Sequence, residues 1–125
     1  MTPEAAKARL WDTANKHGIS DNEVVRILDD LAGHRAFLYL SPEQDGFVIV
    51  RPHGHVAGEL WIDFAWSDNG QAIAQYMPRI LLCARHFDCD QVAFSTKRRG
   101  YHRVMPKFGF RYTRSDNGTY QWRYG

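Results

Sequence analysis

The sequence predicts an α/β fold of the α+β kind, a mixed central sheet flanked by helices, and three observations predict it. Apolar residues recur at helical spacing up to residue 33. Three short runs rich in β-branched and aromatic residues, joined by turns, follow between residues 36 and 66. A strand, a long helix and another strand come next, and this order favours a right-handed crossover that makes the two strands parallel.

The first 33 residues predict a helical hairpin. Thr2-Pro3 is typical of an N-cap followed by proline in the first turn, and Gly18 ends this helix. Ser20-Asp21-Asn22-Glu23 has the form of a capping box and begins a second helix, which ends at Gly33. The apolar residues of this second helix keep the spacing of one buried face: Val24, Ile27, Leu28 and Leu31.

The middle of the chain predicts an antiparallel meander of three strands. The strands cover residues 36–40, 47–51 and 59–66. Proline- and glycine-containing turns separate them, the second of which is Pro52-His53-Gly54-His55. Short turns of this kind join neighbouring antiparallel strands, so these three should form one side of the sheet.

The second half predicts the crossover and a closing hairpin. A long helix follows Ser67-Asp68-Asn69-Gly70, and Pro78 within it predicts a kink or a local break. The strand over 91–96 should lie beside the strand over 59–66 and parallel to it. The remaining elements are a short helix over 101–108 ending at Gly109, and strands over 110–114 and 119–124 around the turn Ser115-Asp116-Asn117-Gly118.

Size and composition indicate one folded domain over residues 1–125. The chain has 125 residues, and its hydrophobic share of 44% and aromatic share of 14% exclude a disordered protein. Cys83 and Cys89 form neither a disulfide framework nor a zinc-binding pattern, so we expect no metal.

The N-terminal residues and the hydropathy predict a cytoplasmic protein with no membrane partner. Met1-Thr2-Pro3-Glu4 leads into a polar, alanine-rich helix in place of a signal peptide. No apolar run approaches the ~18 residues that a membrane span needs. The sequence leaves the oligomeric state open, a homodimer included.

Charge is unevenly distributed along the chain. Residues 1–84 carry seven Lys/Arg against eleven Asp/Glu, whereas residues 85–125 carry nine against three. The basic C-terminal third indicates an anionic partner, either a phosphorylated ligand or nucleic acid, or else a solvated basic face.

Two segments, together with the order of the elements, resemble the GNAT (GCN5-related N-acetyltransferase) superfamily with its first strand missing. In that family a strand leads into Gln/Arg-x-x-Gly-x-Gly/Ala at the start of a helix. Here the corresponding run is Ser67-Asp68-Asn69-Gly70-Gln71-Ala72, with serine in the place of Gln/Arg. Lys107-Phe108-Gly109-Phe110 looks like the Lys-x-Gly-Phe end of the family's last helix. The chain resembles a small divergent member, of a kind that bacteriophages encode.

The resemblance implies acetyl-CoA as a co-substrate. Its pyrophosphate would bind the first backbone N–H groups of the helix after Gly70, where the helix dipole adds positive potential. Its pantetheine arm would lie between two splayed strands, those over 59–66 and 91–96. The residues that this places at the cofactor are Phe64, Ala65, Trp66, Asn69, Gly70, Gln71, Ala72, Ile73 and Arg98. The alternative is a plain strand-to-helix turn, because Ser-Asp-Asn-Gly occurs again at 115–118, where a hairpin turn explains it fully.

The resemblance also implies a general base on or near the strand over 59–66. Glu59 and Asp63 share one face of that strand with Trp61 between them, because side chains alternate with a period of two. Leu60, Ile62 and Phe64 should face the other way, into the core. The two carboxylates either line an acceptor cleft or form a solvent-facing edge.

The family's usual acid, a tyrosine, is replaced by Met105, which cannot donate a proton. Tyr101, one turn earlier, either substitutes for it or packs under the helix. His53 and His55 fit a turn surface better than a metal site, and His17 and His34 fit structural roles at helix ends.

Three hypotheses for the function follow. The first is an acetyl-CoA-dependent N-acetyltransferase acting on an unknown small-molecule or protein amine. The second is a GNAT-fold binding or structural protein without catalysis, which Met105 and Ser67 favour. The third is a nucleic-acid-binding protein that uses the basic third, with Lys97-Arg98-Arg99, Arg103, Lys107, Arg111 and Arg114.

Overall fold

The computed structural model describes residues 1–116 and 118–125, so the second Ser-Asp-Asn-Gly turn falls in part outside the described residues. The elements are α1 (Pro3–Ala14), α2 (Asp21–Ala32), β1 (Phe37–Leu40), β2 (Gly46–Pro52), β3 (Glu59–Ser67), α3 (Ala72–His86), β4 (Gln91–Thr96), α4 (Tyr101–Val104), β5 (Phe110–Asp116) and β6 (Thr119–Tyr124). Single 3₁₀ turns cover Asn15–His17 and Met105–Phe108. The predicted α+β class is confirmed.

The helix ends follow from local chemistry. The Thr2 hydroxyl accepts a hydrogen bond from the Ala5 N–H (3.1 Å) and the Ser20 hydroxyl accepts one from the Glu23 N–H (3.3 Å), so both predicted N-caps are confirmed. The helix α3 continues through Pro78 without ending there, which excludes a full break at that proline.

None of the helices in the described part of the chain has both the length and the apolar composition needed to cross a membrane.

Within residues 1–116 and 118–125, six strands form one mixed sheet in the order β1-β2-β3-β4-β6-β5. The pair β3–β4 is parallel and all other neighbouring pairs are antiparallel, which confirms the predicted meander and crossover. The helix α3 makes this crossover and packs on one face of the sheet.

The parallel strands β3 and β4 separate beyond their first residues. They pair only over Glu59–Trp61 and Gln91–Ala93, although β3 continues to Ser67 and β4 to Thr96. The predicted splay at the C-terminal ends of these strands is therefore confirmed. From Ile62 onward, one edge of β3 has no strand partner in the part of the chain that the structure describes.

A β-bulge at Asp63 changes which face the later residues of β3 occupy. Val50 pairs with Ile62 and Ile49 pairs with Phe64, so Asp63 is the extra residue in β3. The expectation that Phe64 shares a face with Leu60 and Ile62 is wrong, because the bulge shifts the alternation by one. Phe64 packs instead in the layer under α1 and α2.

Two apolar layers hold the sheet, and they cover it unequally. The layer under α3 extends over β2, β3, β4 and β6, for example at Val50, Leu60, Phe94 and Trp122. The layer under α1 and α2 contains residues of β2 and β3 but none of β4, β5 or β6 among its buried members. The face of β4, β6 and β5 that lies on the α1–α2 side carries polar residues, among them Ser95, Gln121 and Arg123.

Candidate functional site

The splay between β3 and β4 contains a small cavity of about 80 Å³. This is the space of two or three water molecules. Residues of both strands, of α3 and of the loop after β4 line it, and it brings together six residues predicted from the sequence: Asp63, Phe64, Ala65, Ile73, Arg98 and Tyr101. His17 and Ile19, from the loop between α1 and α2, complete the wall.

The start of α3 lies beside this cavity and has no side-chain cap among the described residues. Asn69 Oδ1 accepts hydrogen bonds from the Ser67 hydroxyl (2.8 Å) and from the Gln71 N–H (2.9 Å), which fixes the turn. Ser67 thus has a local structural role at the position where the family pattern has Gln or Arg. The first N–H groups of α3 that follow, from Ala72 onward, lie at the positive end of the helix dipole.

Gly70 leaves space for a ligand to approach the backbone at the start of α3. Its φ of +74° lies in the left-handed region, and no atom lies within 4 Å of the point where a Cβ would stand. A ligand can therefore approach the backbone of the turn without meeting a side chain at this position. Gln71 and Ala72 complete the predicted pyrophosphate turn.

A larger cleft of about 400 Å³ opens on the α1–α2 side of the sheet. Residues that line both this cleft and the small cavity include His17, Asp63 and Thr96, so the two spaces meet at the splay. A ligand in the splay and a second ligand in the cleft would therefore have their reacting ends adjacent. Trp61 and Lys97 form further parts of the cleft wall.

Solved structures share this arrangement of strands and helices. An acetyltransferase from Streptococcus agalactiae matches with a TM-score of 0.67 at 11% identity, over 99% of this chain and 93% of that one. The PaiA N-acetyltransferase from Thermoplasma acidophilum, solved in complex with coenzyme A, matches with a TM-score of 0.59 at 10% identity, over 99% and 79%. A putative acetyltransferase of the GNAT family from Desulfovibrio desulfuricans matches with a TM-score of 0.52 at 16% identity, over 82% and 76%.

The chain has the GNAT acetyltransferase fold. The resemblance seen in the sequence is thereby confirmed at the level of the fold. By sequence, no protein-family model and no curated protein matches the chain.

Within this GNAT fold, Asp63 is held on both sides by arginines. Its side chain is 0% exposed; Oδ1 accepts hydrogen bonds from Arg26 (3.0 Å) and Arg51 (3.3 Å), and Oδ2 accepts one from Arg51 (3.3 Å). Burial alone would lower the pKa of Arg26, but the charges and hydrogen bonds of Asp63 and Glu23 together outweigh it and raise that pKa. Both carboxylate oxygens of Asp63 are therefore already in use, and the network fixes α2 on the bulge.

Glu59 lies at the other end of β3, in the part that still pairs with β4. Its Oε2 accepts hydrogen bonds from Arg123 Nε (3.0 Å) and Nη2 (2.7 Å). Its Oε1 is buried and has no hydrogen-bond partner among the described residues. Glu59 precedes Asp63 by four residues, roughly 13 Å along a strand, so the structure does not bring the two predicted carboxylates together.

Tyr101 lines the splay cavity and is half-buried. Its ring lies edge-on to Phe94, with 5.5 Å between the centroids, and the Arg98 guanidinium lies 5.4 Å from the ring centre. The ring thus packs on the core, as one of the two sequence-based alternatives expects, and it also borders the cavity; its role as an acid stays a prediction. Met105, at the family's tyrosine position, is buried in the core.

Trp66 turns its side chain away from the splay. The guanidinium of Arg9 lies 4.5 Å from the Trp66 ring, and the ring also packs near Phe47. The bulge causes this orientation, because it places Phe64 and Trp66 on the α1–α2 side. Only the backbone of Trp66 is left for a ligand between the strands.

His17, for which the sequence predicted only a structural role at a helix end, lies at the site. It lines both the splay cavity and the cleft, and its ring centroid lies 6.2 Å from that of Phe64. Burial lowers the pKa of His17, and the positive charges of Arg98 and Lys16 lower it further. The one local signal is Gly18, whose left-handed φ of +79° ends the helix just after His17; nothing in the sequence indicates that this turn faces β4.

Proposed function

We propose that this protein is an N-acetyltransferase that moves an acetyl group from acetyl-CoA to an amine. The observation that carries the proposal is the splay of β3 and β4, with an uncapped helix start on one side and an open cleft on the other. A two-substrate transfer needs this arrangement, because the acyl donor and the acceptor must approach one point from different directions.

The residues at the splay fit a CoA-type ligand. The first N–H groups of α3 suit a pyrophosphate, since they combine free donors with the positive end of the dipole. The unpaired edge of β3 from Phe64 to Trp66 offers backbone groups to the amide-containing pantetheine arm. Arg98, at the cavity wall, supplies positive charge for an anionic ligand. When bound, acetyl-CoA supplies the activated acyl group as a thioester.

The acceptor must lose a proton before it can attack, because a simple amine is mostly protonated near neutral pH. We assign this step to His17, whose imidazole borders both spaces. Its lowered pKa keeps it neutral and able to accept a proton. Asp63 is less suited since both of its oxygens are already hydrogen-bonded, and Glu59 lies too far along β3. Tyr101, which also lines the cavity, would return a proton to the departing thiolate.

Two measurements test the proposed function. Acetyl-CoA should raise the melting temperature in a concentration-dependent way, because it binds only the native state. Thiol release should then occur in the presence of an amine from a panel of alkylamines, amino acids and peptides. A folded protein whose melting temperature does not move at millimolar acetyl-CoA would contradict the proposal. It would favour the GNAT-fold binding protein without catalysis, which the buried Met105 also fits.

A further inference from the structure

A third cavity, of about 460 Å³, lies on the face of β3, β4, β6 and β5 that α1 and α2 leave open. It continues the cleft in which the acceptor amine is proposed to bind, because His55, Trp61 and Ser95 line both spaces. Ser95 also lines the splay cavity, so all three spaces meet at this residue. The cleft and the third cavity together are called the acceptor trough below.

The acceptor trough carries more positive than negative charge. Besides its histidines, five cationic side chains and three carboxylates of the described residues line it. These are Arg26, Arg51, Lys97, Arg114 and Arg123 on one side and Glu23, Glu59 and Asp63 on the other. Each carboxylate has an oxygen 2.7–3.3 Å from an arginine nitrogen, so all three are already paired. The remaining positive charge favours an anionic group and disfavours a cationic one.

Lys97 supplies positive charge at the end of the trough nearest the splay. Its side chain crosses the turn after α1, with Nζ 3.1 Å from the point where a Cβ on Gly18 would stand, and Gly18 directly follows His17. Lys97 lines the cleft but not the third cavity. It forms no ion pair among the side chains that the structure describes. Its charge therefore adds to the positive potential beside the reacting point.

Arg114 supplies positive charge at the far end of the trough. Arg114 of β5 pairs with Gln121 of β6, which pairs with Ser95 of β4, so the three residues form one row across the sheet. This row spans two strand spacings, roughly 10 Å. All three residues line the third cavity, and Arg114 is in no ion pair with any described side chain. A guanidinium group can bind a carboxylate or a phosphate through two parallel hydrogen bonds.

We infer that the acceptor amine also carries an oxyanion group, a carboxylate or a phosphate, which binds Arg114 while the amine lies at the splay. The inference rests on the proposed acetyltransferase function and adds the class of its substrate. Val56 and Trp61 contribute apolar wall to the same cavity, which suits a carbon chain between the two groups. A second ammonium group in place of the oxyanion would be repelled by the guanidinium.

Matched amines with chains of four, six and eight carbons test the inference by thiol release at saturating acetyl-CoA. Each length is offered as the ω-amino acid, the aminoalkyl phosphate, the neutral ω-amino amide and the diamine. At the best length, we expect kcat/KM for at least one of the two anions to exceed that for the amide by about 3–10-fold. The effect is modest because Arg114 is exposed, and an exposed ion pair contributes up to about fivefold. The diamine should be the poorest acceptor, after allowance for its two equivalent amines.

The comparison of the carboxylate with the phosphate identifies which oxyanion the trough prefers. Saturating acetyl-CoA ensures that its own binding does not enter the comparison. Anions that react no faster than the neutral amide at every chain length would overturn the inference.

The variant Arg114→Gln separates binding of the oxyanion from a general effect of net charge. It should lower the anion-to-amide ratio by about 2–5-fold, the usual size of one exposed ion pair. Arg85→Gln is the matched control, since Arg85 is exposed in the last turn of α3 and lies outside the trough. This control should leave the ratio unchanged. An equal fall of the ratio in both variants would overturn the assignment to Arg114.

Failure of the inference can be told apart from failure of the proposed function. Turnover of the amides without any preference for the anions contradicts the inference alone. If no amine releases thiol, hexanoate, hexyl phosphate and hexanamide, which lack the amine, are titrated into the protein and followed by NMR. Tighter binding of an anion that Arg114→Gln weakens would support the site, and equal binding of the three compounds would overturn it.

Discussion

At the splay, the chemical role that a residue can take depends more on its neighbours than on its residue type. His17 belongs to a helix end, yet the loop places its ring between two cavities and beside Arg98. Asp63 has the side chain of a base but is bound by two arginines. The choice of catalytic groups therefore depends on which atoms remain free, which residue type alone does not show.

His17→Gln should lower kcat/KM for a good amine by about 10²–10⁴-fold, the usual contribution of general acid–base catalysis. In the wild-type protein the neutral imidazole is the active form, so kcat/KM should rise with pH and level off above the pKa of His17. Because that pKa is lowered from 6.5, the plateau should be reached at a lower pH than for an ordinary histidine. The pH profile of thiol release checks both points.

His34→Gln is the matched control for this variant. His34 lies at the end of α2 and borders a different cavity. Its replacement should leave the pH profile unchanged. An unaltered profile in His17→Gln would remove His17 from the mechanism.

Tyr101→Phe should reduce kcat far less, by about tenfold or less, because a thiolate is a good leaving group that water can protonate. The ring contact with Phe94 is kept in this variant, so the melting temperature should change little. Single-turnover thiol release measures the effect. Complete loss of turnover would assign Tyr101 the role of an essential acid.

At the scale of elements, two local irregularities create the site. The bulge in β3 turns Phe64 toward α1 and α2, and the end of pairing after Trp61 and Ala93 opens the splay. The turn before α3 is held by Asn69 and Ser67, which leaves the first N–H groups of the helix to a ligand. A regular parallel pair with a capped helix would close both openings.

Gly70→Val should abolish the acetyl-CoA-induced rise in melting temperature, because its side chain would stand where the ligand approaches the backbone. The left-handed φ of +74° should also destabilise the variant by about 1–2 kcal/mol. Gly118→Val is a matched control, since Gly118 has a φ of +79° and open space at its Cβ position. That variant should lose similar stability and keep the ligand shift; a shift retained in Gly70→Val would place the pyrophosphate elsewhere.

At the scale of the whole molecule, charge pairs connect the helical layer to the sheet next to the site. Arg26 of α2 binds Asp63 of β3 (3.0 Å) and Asp30 (2.8 Å), and Arg51 of β2 binds Asp63 from the other side (3.3 Å). Arg26, Arg51 and Asp63 also line the cleft on the α1–α2 side, so this network contributes to its shape.

Asp63→Ala should lower the free energy of unfolding by about 2–3 kcal/mol. This is below the ~3–5 kcal/mol for breaking a fully buried pair, because the Arg26 side chain is 34% exposed. Urea unfolding measures the change. The acetyl-CoA shift, which depends on α3, should survive at temperatures where the variant is folded; its loss would mean that the network also supports the splay.

The sequence determined the elements and most of their connections, since these depend on local patterns. Thr2 and Ser20 cap their helices as predicted, and the strand-helix-strand order fixed β3 and β4 as parallel neighbours. The turn at Gly70 could also be predicted from the sequence, because a turn residue and the helix after it are adjacent in the chain. The tertiary structure alone decided the bulge at Asp63, which exists only relative to β2, and the placement of His17 beside β4. It also decided which carboxylate oxygens are free, because Arg26, Arg51 and Arg123 come from distant segments.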